Sequence, residues 1–207
     1  MSYRAINAST ATLTDLLTQE FVADSLLGSR FGAGGNMEVY ARTPEEMSEL
    51  DNTGLSVWLY RIARDPELLN KPMRRTGPDT YEYRPLPLRL HYLMTPVVNR
   101  ENPDGNDPGI EQFIIGKVLQ IFHDHPRIQG ALLRGDLIDT HSSLGVRLEP
   151  LTLEEITRVW DALESSYQLC VSYEVSMVML ASDREVDRIA PVQRVEPGYG
   201  LIREESR

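Results

Sequence analysis

The chain has 207 residues, 41% of them hydrophobic, which suits one domain with a sizeable core and argues against wholesale disorder. Thirty-one acidic residues against 21 basic ones give a formal net charge of −10, a poor balance for nucleic acid or an anionic membrane surface, so neither is expected as a partner. The single cysteine, Cys170, leaves no intrachain disulfide to form. The start "MSYRAINAST" lacks a signal peptide's basic and apolar parts, and no apolar run nears the ~20 residues of a membrane span, so a soluble, cytoplasmic product is expected.

In chain order, "STATLTDLLTQEFVADSLLG" spaces Leu13, Leu16, Leu17, Phe21 and Val22 as a helix. Ser9 or Thr10 can cap its start, and Gly28 can end it. The glycine-rich "GSRFGAGGN" lacks the Lys-Ser/Thr of a P-loop and reads as a flexible connection. "NMEVYART" predicts a short strand, and "TPEEMSELDN" a capped helical turn or loop. "TGLSVWLYRIARD" predicts a strand with Leu55, Val57, Leu59 and Arg61 on one face and Ser56, Trp58, Tyr60 and Ile62 on the other. Apolar residues on both faces point to an interior or covered strand.

The stretch "DPELLNKPMRRTGPDTYEYRP" reads as a Pro-broken loop carrying Lys71, Arg74 and Arg75, a basic patch in an acidic chain. "LPLRLHYLMTPVV" predicts a strand with Leu86, Leu88, Leu90, Tyr92 and Met94 on one face and Arg89 and His91 on the other. A polar loop, "NRENPDGNDPG", follows. In "DPGIEQFIIGKVLQIFHDHP", Asp107 and Pro108 suit the start of a helix, and Pro126 stops it. Its buried stripe takes Ile110, Phe113 or Ile114, Val118, Ile121 and Phe122.

"RIQGALLRGDLID" is then a short helix or turn, and "LGVRLEPL" a strand. "TLEEITRVWDALE" carries a capping box, Thr152 with Glu155, and an apolar face of Ile156, Val159, Trp160 and Leu163. "YQLCVSYEVSMVMLAS" predicts a long strand with Leu169, Val171, Tyr173, Val175 and Met177 on one face. These elements lack regular βα alternation, so the expected fold is α+β: a compact domain over residues 1–183 with a mixed or antiparallel sheet flanked by helices. Residues 184–207 are polar and Pro-broken and form an extended C-terminal arm.

Catalytic patterns are weak. In a helix, residues two apart diverge by roughly 200°, so His123 and His125 cannot share one ion across Asp124, and Pro126 makes the run a helix stop. A metal-dependent enzyme built on these three residues is the lesser alternative. His141 lies beside Asp139, Ser142 and Ser143, but triad members rarely sit in one loop, and no Gly-x-Ser-x-Gly elbow is present. Cys170, among apolar neighbours, reads as a buried structural thiol. No catalytic residue, cofactor or metal is assigned.

An ordered set of stretches carries a resemblance: "LSVWLYR", then "PLPLRLHYLMT" (85–95), "FHDHP" (122–126), "GALLRG", "PLTLEEITRVW" (150–160) and "SYE" (172–174). Together these span roughly residues 10–183 and resemble the cap, or tail-terminator, proteins of extracellular contractile injection systems, which are phage-tail-like particles. The resemblance implies a structural protein that forms a ring, a hexamer to match the tube, at the end distal to the baseplate. It would contact its own copies, the sheath protein and the inner tube protein. It would stop polymerisation and link tube to sheath. A tail-completion adaptor of a phage is the alternative of the same kind. Met94 and Pro96 depart from the family pattern, so an early end of that strand is expected. Candidate assembly contacts are Lys71, Arg74 and Arg75, then Arg100, and on the arm Arg188, Val192, Arg194, Val195, Tyr199 and Leu201.

Overall fold

The computed structural model describes residues 2–69, 74–75, 77, 80–98, 109–182 and 187–188. In chain order its elements are α1 (Ala5–Ala23), α2 (Gly28–Phe31), β1 (Met37–Tyr40), α3 (Pro44–Glu49), β2 (Thr53–Arg64), β3 (Arg74–Arg75), β4 (Thr80–Glu82) and β5 (Leu86–Val97), followed by α4 (Ile110–Asp124), β6 (Arg127–Gln129), β7 (Ser143–Leu148), α5 (Leu153–Ala162), β8 (Val171–Leu180) and β9 (Asp187–Arg188). Six strands form one sheet in the order β1-β2-β5-β8-β7-β6. The β1–β2 pairing is parallel and the others are antiparallel, so the sheet is mixed, the first of the two forms expected for this α+β domain. A second sheet, β3-β4-β9, lies where a loop and the start of the arm were expected, with Arg188 opposite Thr80.

Helix α1 begins at Ala5, upstream of the expected Ser9 or Thr10 cap. Those side chains turn inward on the helix instead: Ser9 Oγ donates to Ala5 O (2.8 Å), Thr10 Oγ1 to Ile6 O (3.3 Å) and Thr12 Oγ1 to Ala8 O (2.7 Å). A hydroxyl bonded to the carbonyl four residues back has its donor satisfied when buried, and Ser9 and Thr12 are fully buried. The helix ends at Ala23, and Asp24 accepts the amides of Leu27 (3.0 Å) and Leu26 (2.9 Å). These bonds, the one from Leu27 first, hold its carboxyl below the ordinary range. Gly28 opens α2 rather than closing α1. The glycine-rich connection is tightly built, not slack: a Cβ on Gly35 would sit 1.9 Å from the Arg30 carbonyl oxygen.

Two β-bulges change which side chains share a face. In β2 the register with β5 shifts between Leu59 and Arg61, so Arg61 stands opposite His91 and Ile62 opposite Leu90. The expected assignments of Arg61 and Ile62 are therefore exchanged. In β8 a second shift follows Val175, so Val178, not Met177, returns to the core. Met177 takes a positive φ of 67° there and is partly exposed. Strand β5 does not end early. It continues through Pro96 to Val97, pairing with β2 after its pairing with β8 has stopped at Met94. Among the described residues no strand pairs with β5 on that side beyond Met94, the kind of position where a strand tolerates proline.

Helices α1 and α4 cover one face of the sheet. Leu13, Leu17, Phe21, Ile114, Val118 and Phe122 pack there against Leu55, Val57, Leu90, Tyr92 and Val175. On α4, Ile114 takes the buried position and Phe113 is half exposed. Each such buried side chain contributes ~1.5–3 kcal/mol of transfer free energy. Phe21 meets Phe31 and Phe122 meets Tyr173 at ring-centroid distances of 4.6 and 4.8 Å. Helix α3, with the capping box Thr43–Glu46 and Pro44 at its first turn, buries Met47 and packs on β2 and β5. Helix α5, started by the Thr152–Glu155 capping box, buries Trp160 on the opposite face of the sheet from α1. Among the described residues, no helix is long and apolar enough to cross a membrane.

Candidate functional site

The sheet face under α5 divides into an apolar and a charged half. The apolar half gathers Leu93, Trp160 and Cys170, with Trp58, Tyr60, Ile156, Val159 and Leu163 around them. Trp160 Nε1 donates to Cys170 Sγ at 3.5 Å. Burial pushes the Cys170 thiol up, so it stays protonated, a structural thiol rather than a nucleophile.

The charged half follows from strand alternation. Arg89, His91 and Leu93 project from the same face of β5, and register places His91 opposite Glu174, which in turn stands opposite Arg147 of β7. His91 Nδ1 lies 2.7 Å from Glu149 Oε1. Glu149 follows β7, and its amide donates to Ser172 O (2.9 Å), fixing it beside β8. Its Oε2 accepts from Ser172 Oγ (2.6 Å) and from Tyr60 OH (3.3 Å). Burial, foremost, raises the Tyr60 phenol above its ordinary pKa, so it remains a donor.

Glu174 is buried and accepts from Arg147 Nη2 (3.2 Å), with Arg89 Nη1 at 3.5 Å. Arg89 Nη2 donates to Asp65 Oδ1 (3.0 Å) and pairs with Glu67 Oε1 at 3.2 Å. Above all the Asp65 bond raises the guanidinium's pKa, keeping it charged. Asp65 also accepts the Glu67 amide (3.0 Å), which starts the short 3₁₀ turn after β2. Beside this network lies a cleft of about 380 Å³ lined by Asp65, Glu67, Arg89, Arg147, Glu174 and Met177. A second cleft, of about 330 Å³, lies between the 24–27 turn and α4, where Leu26, Phe113 and Gly116 line it beside the Lys117–Asp24 ion pair (3.2 Å).

Arg74 and Arg75 lie on β3 and Arg188 on β9 of the small sheet. Lys71, Arg100, Val192, Arg194, Val195, Tyr199 and Leu201 lie outside the described residues, as does the polar loop 99–108. His123 and Asp124 occupy the last turn of α4 and His125 its C-cap, the helix stop expected before Pro126. Among the described residues, the metal-ligating group of three that comes together is His91, Glu149 and Glu174, not the His123-Asp124-His125 run. Sequence reasoning placed His91 with Arg89 but missed Asp65, Glu149 and Glu174. The one local signal was a carboxylate inside an otherwise apolar strand, "SYEVSMV".

A family described as the Pvc16 N-terminal domain matches residues 8–194. No curated protein is similar in sequence. Among solved structures, the sheath/tube terminator in the extended state of an extracellular contractile injection system, PVC, superposes with a TM-score of 0.56 at 16% identity, covering 95% of this chain and 65% of that one. The tube-terminating cap of the anti-feeding prophage gives a TM-score of 0.58 at 16% identity, covering 96% of this chain and 62% of that one. The fold is thus shared across almost the whole chain, while the chain spans a little under two thirds of the length of either solved protein.

Proposed function

The chain belongs to the Pvc16 N-terminal domain family, and from that premise we propose that it is a terminating cap of a contractile, phage-tail-like particle, a structural part and not an enzyme. It forms a ring, hexameric with the tube, on the end distal to the baseplate. There it ends growth of the inner tube and sheath and links the two. The observation that carries this reading is the family match over residues 8–194, joined to a fold like that of two terminator proteins over 95% and 96% of the chain.

The physical task is plain. A growing tube or sheath presents unpaired backbone edges, and a cap satisfies them without offering an equivalent new one. Both outermost strands of the large sheet are short, four residues in β1 and three in β6, so the domain extends poorly as a template. A closed ring repeats each weak contact around its axis, and these contacts add. The arm (184–207) and the basic stretch carrying Lys71, Arg74 and Arg75 are the proposed contacts with tube, sheath and neighbouring copies. Assembly takes place in the cytoplasm, with neither nucleic acid nor membrane as a partner.

The experiment is deletion of this chain's coding sequence in a producing strain, followed by negative-stain imaging. Tubes or sheaths of abnormal length, or no particles, are expected. Particles of normal, uniform length overturn the proposal, and defects confined to a DNA-filled phage tail favour the tail-completion adaptor instead.

A further inference from the structure

We propose that the cleft between the 24–27 turn and α4 receives Tyr3 and Ile138 of a second copy of this chain, so that copies join head to tail. This is the contact between neighbours in the ring inferred above, a reading on which it rests. Gly116 of α4 lines the cleft. Glycine is unfavourable inside a helix, and a Cβ there would meet nothing within 4 Å. Packing within one copy gives no reason for it. On a helix surface it leaves a notch, where a second chain can come close to the backbone. Phe113 and Leu26 stand at the notch with 48% and 51% exposure, without cover among the described residues.

Charge selects the occupant. The charged residues lining the cleft are Asp24 and Lys117, which pair at 3.2 Å, so the notch has no net charge in a chain of −10. An acidic copy can approach such a surface without like-charge repulsion. A basic partner would be drawn instead to α3, whose charged side chains are Glu45, Glu46 and Glu49. Among large apolar side chains exposed elsewhere, Leu153 adjoins Glu154 and Glu155, and Leu50 lies between Glu49 and Asp51. Tyr3, 71% exposed, is followed by Arg4, whose guanidinium lies 5.7 Å from the ring centroid. Ser2 Oγ donates to Asp136 Oδ2 at 2.5 Å, which fastens Tyr3 beside the turn that presents Ile138, 51% exposed. Tyrosine is a common anchor of protein contacts. Its ring suits Phe113 and Leu26, and its hydroxyl suits the amide of Gln112 or Gln120.

Tyr3 precedes α1 and the notch follows it. Nineteen helical residues at a rise of ~1.5 Å put roughly 28 Å between them, so a copy cannot fill its own notch. A head-to-tail contact of this kind is heterologous and makes a ring where the rotation closes. Few residues take part, so one contact is weak, and closure adds the contacts around the axis.

The test places the photo-crosslinking residue p-benzoylphenylalanine at position 113. The purified full chain, mixed with nitrogen-15-labelled copies, is irradiated and its peptides are read by mass spectrometry. Particles from a producing strain are treated in the same way. Mixed-isotope peptides joining residue 113 to residues 2–4 or 136–139 of a second copy are expected. Tyr3→Ser and Gly116→Leu should each lower their yield by ~10-fold or more, while Leu153→Ser, on α5, should leave it unchanged. Thermal melts confirm that each variant is folded. Cross-links confined to one copy, cross-links only to another protein, none in either sample, or a yield unaffected by both Tyr3→Ser and Gly116→Leu overturn the contact. The purified chain reports on the contact and the deletion strain on the cap, so the two readings can fail separately.

Discussion

The two faces of the central sheet solve burial in opposite ways. Under α1 and α4 the sheet meets a continuous apolar layer in which Tyr92 finds one polar partner, Thr10 Oγ1 at 2.9 Å. Under α5 it buries a small apolar cluster beside a network of charged groups. The difference shows in the tyrosines. Burial pushes Tyr92 and Tyr173, on the first face, up to about 12, so both are neutral packing groups. Tyr60, on the second, keeps a hydroxyl bonded to Ser172 (3.1 Å) and within reach of Glu149. One face supplies most of the folding energy. The other spends stability on arranged charge, since buried ion pairs contribute less than apolar residues of the same volume.

That contrast is broken most directly at Phe21, fully buried against Phe31. Phe21→Ala should cost ~3–5 kcal/mol in denaturant unfolding, through lost transfer energy and the cavity left behind. A loss under about 1 kcal/mol would mean that the α1 layer is not the main core. Glu174→Ala tests the other face and should cost less, ~1–3 kcal/mol, because Arg89 keeps Asp65 and Arg147 returns to water. If the two costs were equal, or reversed, the division of labour between the faces would be wrong.

The same contrast explains what could be read from the chain alone. The apolar layer was legible, because helical spacing and strand alternation mark it locally: Leu13, Leu17 and Phe21, or Leu88, Leu90 and Tyr92. Misplaced residues trace to local backbone events that leave no mark in a hydrophobic pattern. The bulge after Leu59 exchanged Arg61 with Ile62, and the one after Val175 exchanged Met177 with Val178. Ser9 and Thr10 read as caps because Ser and Thr favour that position, but the same hydroxyls can also bond the carbonyl four residues back inside a helix. The charged network was not legible. Its members, from Asp65 to Glu174, meet only through the order β2-β5-β8-β7, a long-range fact.

The outer surface of the apolar layer offers the finest test. Gly116 sits inside α4, where glycine costs ~0.5–1 kcal/mol relative to alanine by its backbone freedom. An interior helical glycine is usually explained by a neighbour too close for a methyl group. None exists here: a Cβ at Gly116 would meet nothing within 4 Å and would project into the cleft beside Leu26 and Phe113. Packing within the chain therefore does not require it, unlike Gly35, whose Cβ would strike a carbonyl. Gly116→Ala should stabilise the isolated chain by ~0.4–1 kcal/mol in urea unfolding, largely by restricting the unfolded state. Destabilisation would show that the outer side of α4 is packed as tightly as its inner side. Stabilisation would show that the close-packed layer ends at the inner face of α4.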